Sequence, residues 1–389
     1  MSSLFFLAWR YVLYNRLKSA VLVASLAITS FVPLALYLLV SEYDTRLIER
    51  AVTTPLVLGA KGNRFDLILQ ALYFRENEID PVDYGLVDEL VRDRLAAAIP
   101  LHCRYSAASF PIVGTSLEYF TFRELVPERG ALPALLGEAV IGSRVAAELK
   151  VGTGDHLLPD QRNIYDLSQT FPLKLRVAGV LASTGSADDA AIFVDVKTAW
   201  ILDGFGHGHQ DVTEEGADGV LLERSERSVT ANAALATWVE ITPENIDSFH
   251  FHGDRDKFPL SSIVVVPAGA KGRTILLARW NARETVQLLV PEDVVRDLMG
   301  IVFRIKTFFD ANFALVNVST VLFIVLVIVL SLRLRREERA TLHKLGGGRW
   351  IVFWLQSCEL LILGAVSLAV AGVLAFLLRW LAPDIFRIL

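Results

Sequence analysis

The chain is poor in sulfur, with two cysteines and two methionines among 389 residues. A disulfide framework of the kind that staples small secreted domains is excluded. Phosphate-binding signatures are missing as well. No GxxxxGK[ST] loop occurs; "GAKG" at 59–62 and again at 269–272 lacks its spacing and the helix start that should follow. "GGG" at 346–348 runs into Arg349 and Trp350, the wrong chemistry for a nucleotide cradle. A GxSxG nucleophile elbow is also absent. There is no repeat of fixed period and no low-complexity linker. The sequence therefore reads as non-enzymatic, and any ATP chemistry must come from another chain. No nucleic-acid partner is expected.

Charge is missing from whole blocks. Ser19–Val40 and Ala311–Leu332 each run 22 residues without a charged side chain, and Trp350–Leu378 holds a single carboxylate, Glu359. The chain is 53% hydrophobic yet carries 43 acidic and 38 basic residues, so its apolar excess is concentrated in these blocks. About 20 apolar residues of helix cross roughly 30 Å of hydrocarbon, and each block is long enough. An integral, multi-pass membrane protein is expected.

Segregated charge sets the orientation. Residues 1–18 carry Arg10, Arg16 and Lys18 with no acid, and 333–349 carry six basic residues against Glu337 and Glu338. By the positive-inside rule both are cytoplasmic. The expected order is an interfacial cytoplasmic helix over 1–18, spans at 19–40, 311–332 and 350–380, an outer domain over 41–310, a cytoplasmic loop over 333–349 and an outer tail over 381–389. The apolar core of the first span exceeds the usual 7–15 residues of a signal peptide and no small-x-small site follows, so an uncleaved anchor is expected. Pro383 should break any helix continuing into the tail. Glu359 would cost roughly 2.5–3.5 kcal/mol at mid-bilayer, so it should face a partner helix or water, or lie nearer the cytoplasmic surface.

The outer segment has mixed patterning and room for two subdomains. "PLVLGA" (55–60) and "SSIVVVPAG" (261–269) read as strands, while "DYGLVDELVRDRLAAA" (83–98) and "GSRVAAELKV" (142–151) have helical spacing. "LKLRVAGVLAST" (173–184) and "AAIFVDVKTAWIL" (190–202) read as strand, turn, strand, helix. An α+β outer domain joined to an α-helical membrane bundle is the expected fold class. Cys103 falls outside and Cys358 within the third span, so they cannot pair.

Four of the seven histidines come as two His-x-His pairs, His207 with His209 in "GFGHGHQD" and His250 with His252 in "SFHFHGDRDKF". Residues two apart on a strand share a face, so His250 and His252 can reach one ion. His207 and His209 could fold over it, with Asp203 or Asp211 supplying oxygen. Imidazole with carboxylate suits zinc first. Packing or hydrogen bonding alone would also account for the histidines, and His102 beside Cys103 offers another candidate ligand pair.

The order of parts then resembles a known family. "GEAVIGSRVAAELKVGTGDHL" with "LRVAGVLASTGSADDAAIFVDVKTAW" is similar to the periplasmic core domain of the MacB/FtsX class of ABC transporter permeases. "RLRREERATLHKLGGGRWIVFWLQSCELLILGAV" resembles that class's basic loop leading into a span with an early glutamate. The resemblance implies a bacterial inner-membrane permease, working as a homodimer with a separate ABC ATPase subunit that binds ATP and Mg. A periplasmic adaptor or substrate-binding protein is a further implied partner. It implies ATPase coupling through Arg336, Glu337, Glu338, Leu342, Leu345 and Gly346. Leu342 and Leu345 would make a small apolar face on a short helix stopped by glycine; an ordinary charged turn at the membrane surface is the alternative. Members usually have four spans, whereas this sequence reaches Leu389 soon after its third. Export, mechanotransmission, regulation of an outer hydrolase, and a zinc-linked uptake or sensing system are the functions this leaves open.

Overall fold

The computed structural model describes residues 2–76, 79–160, 173–208, 221–225, 228–231, 239–334 and 349–385. The chain divides into two compact units, Met1–Leu47 with Asp297–Leu389, and Ile48–Arg296.

The first unit is helical. A separate helix, Ser2–Tyr14, precedes the long helix Arg16–Val52. The Ser19 hydroxyl reaches back to the Val12 carbonyl at 3.0 Å across the turn at Asn15. Helix Ser2–Tyr14 packs on helix Arg349–Ile385 of the same unit. Among the described residues, Arg16–Ser41 and Phe353–Trp380 are long and apolar enough to cross a membrane. The expected second span, 311–332, forms the distal part of helix Pro291–Leu334. Its apolar side chains, Leu315, Val318, Val321 and Leu322 among them, are exposed, as are Leu361, Leu368 and Phe376 of the last helix. That exposure suits lipid and not water. The last helix runs through Pro383 to Ile385. Pro383 was expected to end it, and the helix instead continues two residues past it. The loop residues 335–348, and with them Arg336, Glu337, Glu338, Leu342, Leu345 and Gly346, lie outside the described residues.

The second unit is built on a ten-stranded mixed sheet. Its order from one edge is Val286–Leu289, Leu56–Ala60, Ser262–Pro267, Ala96–Ala107, Phe110–Thr115, Ile192–Asp195, Glu138–Ile141, Leu175–Leu181 and Pro127–Gly130. The short strand His156–Leu157 also pairs with Leu175–Leu181. One apolar core gathers Leu56, Leu58, Val265, Leu288, Trp200 and Trp280, and a second gathers Ile112, Ile141, Val177, Val180, Ile192 and Val194. The strands expected from "PLVLGA" and "SSIVVVPAG" are present and pair with each other. Strand Leu175–Leu181, strand Ile192–Asp195 and helix Val196–Leu202 follow the expected order, and "GSRVAAELKV" supplies helix Ser143–Leu149.

One expectation is corrected. Helix covers only Gly85–Arg92 of residues 83–98, and Ala96–Ala98 belong to a strand. Arg94 adopts a left-handed φ of 53°, which ends the helical run. Ala97 and Ala98 then pair with Val266 and Val265. Alanine favours helix by only a few tenths of a kcal/mol per residue, so the ladder overrides it.

Candidate functional sites

The domain begins on the last turn of helix Arg16–Val52, and the side chain that fixes this turn is Arg50. The Arg50 guanidinium forms a two-pronged pair with the Asp188 carboxylate at 2.7 and 2.9 Å. Its Nε donates to the Leu72 carbonyl, and Nη2 reaches the Tyr119 hydroxyl at 3.0 Å. Tyr119 in turn donates to Asp188 at 2.7 Å. Both charged side chains are buried, at 8% and 3% exposure. Burial works against both ionised forms, but each charge offsets the cost to the other. Burial would raise Asp188, yet the Arg50 charge and hydrogen bonds from Arg50 and Tyr119 hold it below the usual aspartate value. Tyr119 moves the other way, raised by burial and by the neighbouring carboxylate. Arg123 closes the group by donating to the Thr54 hydroxyl at 2.7 Å.

Asp188 is presented by a braced loop. Asp189 accepts from the backbone N–H groups of Thr184 and Gly185 and from the hydroxyls of Ser183 and Thr184. Ser186 caps the 3-10 turn Ala187–Ala190. Gly142 lies against this turn so closely that a Cβ there would stand 2.3 Å from the Asp189 carbonyl oxygen. Sequence reasoning passed over this network. Its only sequence signal is "SADD" after a strand, together with one arginine at the end of an apolar helix.

The second cluster is the histidines. Strands Gly206–Gly208 and Phe249–Phe251 pair antiparallel, with His207 directly opposite His250. Strand alternation turns the neighbours to the other face, where Phe249 and Phe251 pack toward the core. Only glycine fits opposite those rings: a Cβ on Gly208 would meet Phe249 at 2.6 Å, and one on Gly206 would meet Phe251 at 2.8 Å. His252 extends the same face, its backbone N–H donating to Phe205 at 2.8 Å. Ring centroids are 5.1 Å apart for His207–His250, 4.8 Å for His207–His252 and 4.7 Å for His250–His252. One nitrogen from each ring lies within 4.8 Å of the other two. His250 and His252 are exposed and His207 is partly so.

Two expected ligands are placed elsewhere. Asp203 accepts from buried His102 at 2.6 Å, with Arg104 at 3.6 Å on its other oxygen. Cys103 follows His102 on one strand, so the two side chains point to opposite faces and cannot share an ion. Burial pushes the Cys103 thiol up to about 12, unlike a metal-binding thiolate. His209 and Asp211 lie outside the described residues. Glu359, in helix Arg349–Ile385, is half-buried.

No family model matches the sequence, and no curated protein matches it. Among solved structures the chain is similar to the periplasmic region of MacB from Actinobacillus actinomycetemcomitans. That match has 11% identity and a TM-score of 0.36, covering 65% of this chain and 97% of that one. It is also similar to the extracellular domain of the noncanonic ABC-type transporter YknZ from Gram-positive bacteria. There the identity is 11% and the TM-score 0.34, with 60% and 98% covered.

Proposed function

We propose that this chain is the membrane-spanning, non-catalytic subunit of an ATP-driven transporter of the MacB/FtsX class. A separate ABC ATPase supplies the hydrolysis, two copies of the chain assemble in a bacterial inner membrane, and the α/β domain faces outward. The ATPase docks on the basic segment 333–349, with Leu342 and Leu345 as its apolar contact. Motion of the spans reaches the domain and is used there for export or for work on a periplasmic partner.

The observation that carries this reading is how the chain leads into its α/β unit. A helix whose earlier part is apolar enough to span has Arg50 in its last turn, and Arg50 is held by the Asp188 loop and by the Leu72 carbonyl. A buried, two-pronged ion pair there fixes the helix end to the Asp188 loop, which supports a reading in which movement of the helix is felt by the domain. The histidine triad favours a metal-linked version of the same system, in which the outer domain senses or passes on a cation.

Purification of the tagged full chain tests the proposal. Magnesium-dependent ATP hydrolysis should co-purify, and Leu342→Asp or Leu345→Asp should reduce it by placing a charge in an apolar contact. Undiminished co-purification with both variants would remove the loop as the docking surface. Absence of any ATP-binding subunit from the wild-type preparation would remove the transporter reading altogether.

A further inference from the structure

We infer that His207, His250 and His252 form a divalent-cation site on the α/β domain, of a chemistry best matched by zinc. The inference is independent of the transporter reading, since it rests on the side-chain geometry alone.

Register comes first. The two short strands set His207 opposite His250, and the two-residue period adds His252 to the same face. The opposite face is occupied by Phe249 and Phe251, whose packing against Gly208 and Gly206 leaves these strands one way to lie. A one-residue slip would bury the imidazoles and expose the phenyl rings, so the hydrophobic pattern holds the three histidines together. At the base of this ladder the buried His102–Asp203 pair fixes the end of helix Val196–Leu202, from which Phe205 and His207 continue. The site therefore stands on braced backbone.

Ligand chemistry follows. Tetrahedral zinc with bonds of about 2.0–2.1 Å to nitrogen needs ligating nitrogens about 3.3 Å apart. The three candidate nitrogens lie within 4.8 Å of one another. Closing onto an ion therefore asks each pair of nitrogens to approach by at most about 1.5 Å. His250 has a backbone partner of its own: Nδ1 stands 3.1 Å from the Ser248 carbonyl and donates to it. A ligating histidine whose other nitrogen donates to a backbone carbonyl is the usual outer arrangement of zinc sites.

The donor set also says what kind of site this is. Closed structural sites use four protein ligands, whereas the cluster has three imidazoles among the described residues, which leave one zinc position for a further ligand. Two of the three rings are exposed, so the ion can reach them and leave again. Neutral nitrogen donors favour zinc and its late first-row neighbours over magnesium or calcium, which prefer oxygen. No activated nucleophile stands among the residues of the cluster. Capture and release is thus the role the site supports.

Full-length chain, purified in detergent and stripped with a chelator, is titrated with zinc by calorimetry. One saturable zinc per chain is expected, with binding weakened at acid pH because protons compete for the same nitrogens. Cobalt should give the visible absorption of a low-coordinate nitrogen site. His250→Ala or His252→Ala should weaken zinc by more than the roughly 10–100-fold that loss of an outer partner costs. His156→Ala, a control outside the cluster at an exposed His–Glu pair, should change nothing. Zinc should raise the melting temperature of wild type and not of the triple variant His207→Ala, His250→Ala, His252→Ala. Zinc binding retained by a folded triple variant would overturn the inference. Should that variant not fold, unaltered zinc affinity in His252→Gln, or no cobalt absorption from wild type, would overturn it equally.

Discussion

Replacing Asp188 by asparagine keeps the side-chain shape and removes its charge, which isolates the ion pair at the start of the α/β domain. In the wild type the carboxylate accepts two bonds from Arg50, one from Tyr119 and one from the Ser186 hydroxyl, with Asp188 3% exposed and Arg50 8%. Asp188→Asn leaves a buried guanidinium without its counter-charge, and breaking such a pair costs about 3–5 kcal/mol. For a unit of this size each kcal/mol moves the melting temperature by about 2–4 °C, so a fall of about 6–20 °C is expected. Tryptophan fluorescence of the purified full chain reads the change, because Trp200 and Trp280 are both buried in this unit. Removing both charges, in Arg50→Met with Asp188→Leu, should recover a large part of the loss, since a buried pair is costly to desolvate. Acid should act the same way as the single substitution. The folded-state value of Asp188 lies below its unfolded value, so its contribution is present above about pH 4 and lost as pH falls through the lowered folded value. Asp188→Asn should flatten that part of the acid profile. A melting temperature within about 2 °C of wild type would refute the reasoning.

Three further outcomes are expected. Gly142→Ala sets a Cβ 2.3 Å from the Asp189 and 2.4 Å from the Asp188 carbonyl oxygens, and should destabilise by about 1–3 kcal/mol through displacement of the Asp188 loop. Combined with Asp188→Asn it should cost less than the sum of the two, because both act on one network; strict additivity in a double-mutant cycle would separate them. Topology is read by an impermeant maleimide on intact cells, which should label Ser225→Cys and not Arg339→Cys, with little background from the high-pKa Cys103 thiol; the reverse labelling would invert the orientation.

What the sequence made legible follows the range of the interactions. The apolar helices and the strands at 56–60 and 262–267 are written in consecutive residues. The length of each apolar run, with the proline and glycine that flank the short ones, separates spanning helix from strand. Ala96–Ala98 were misread because a local helical spacing competed with a ladder to residues some 170 positions away. The partner strand won, and no inspection of "DRLAAA" alone would show it. The Arg50 network is the extreme case. Its members come from positions 50, 72, 119 and 188, each unremarkable in its own neighbourhood, and only the folded sheet makes one buried cage of them.

The histidine cluster falls between these limits. That His250 and His252 share a face was readable from a period of two, and the structure bears that much out. That His207 joins them depended on which strand pairs with which, and spacing could not supply it. A clue was nevertheless present in the flanking residues. "GHG" opposite "FHF" is a complementary pair: each glycine makes room for a phenyl ring, and once the rings are seated the three remaining positions with imidazoles must face outward together. Asp203, expected as an alternative to Asp211 for an oxygen ligand, is placed elsewhere. It precedes the glycine that redirects the chain, lies on the core side of that turn, and meets His102 there. Proximity in sequence to a His-x-His motif therefore has little weight as evidence for a shared face, whereas the alternation of small and aromatic residues across two strands carries most of it.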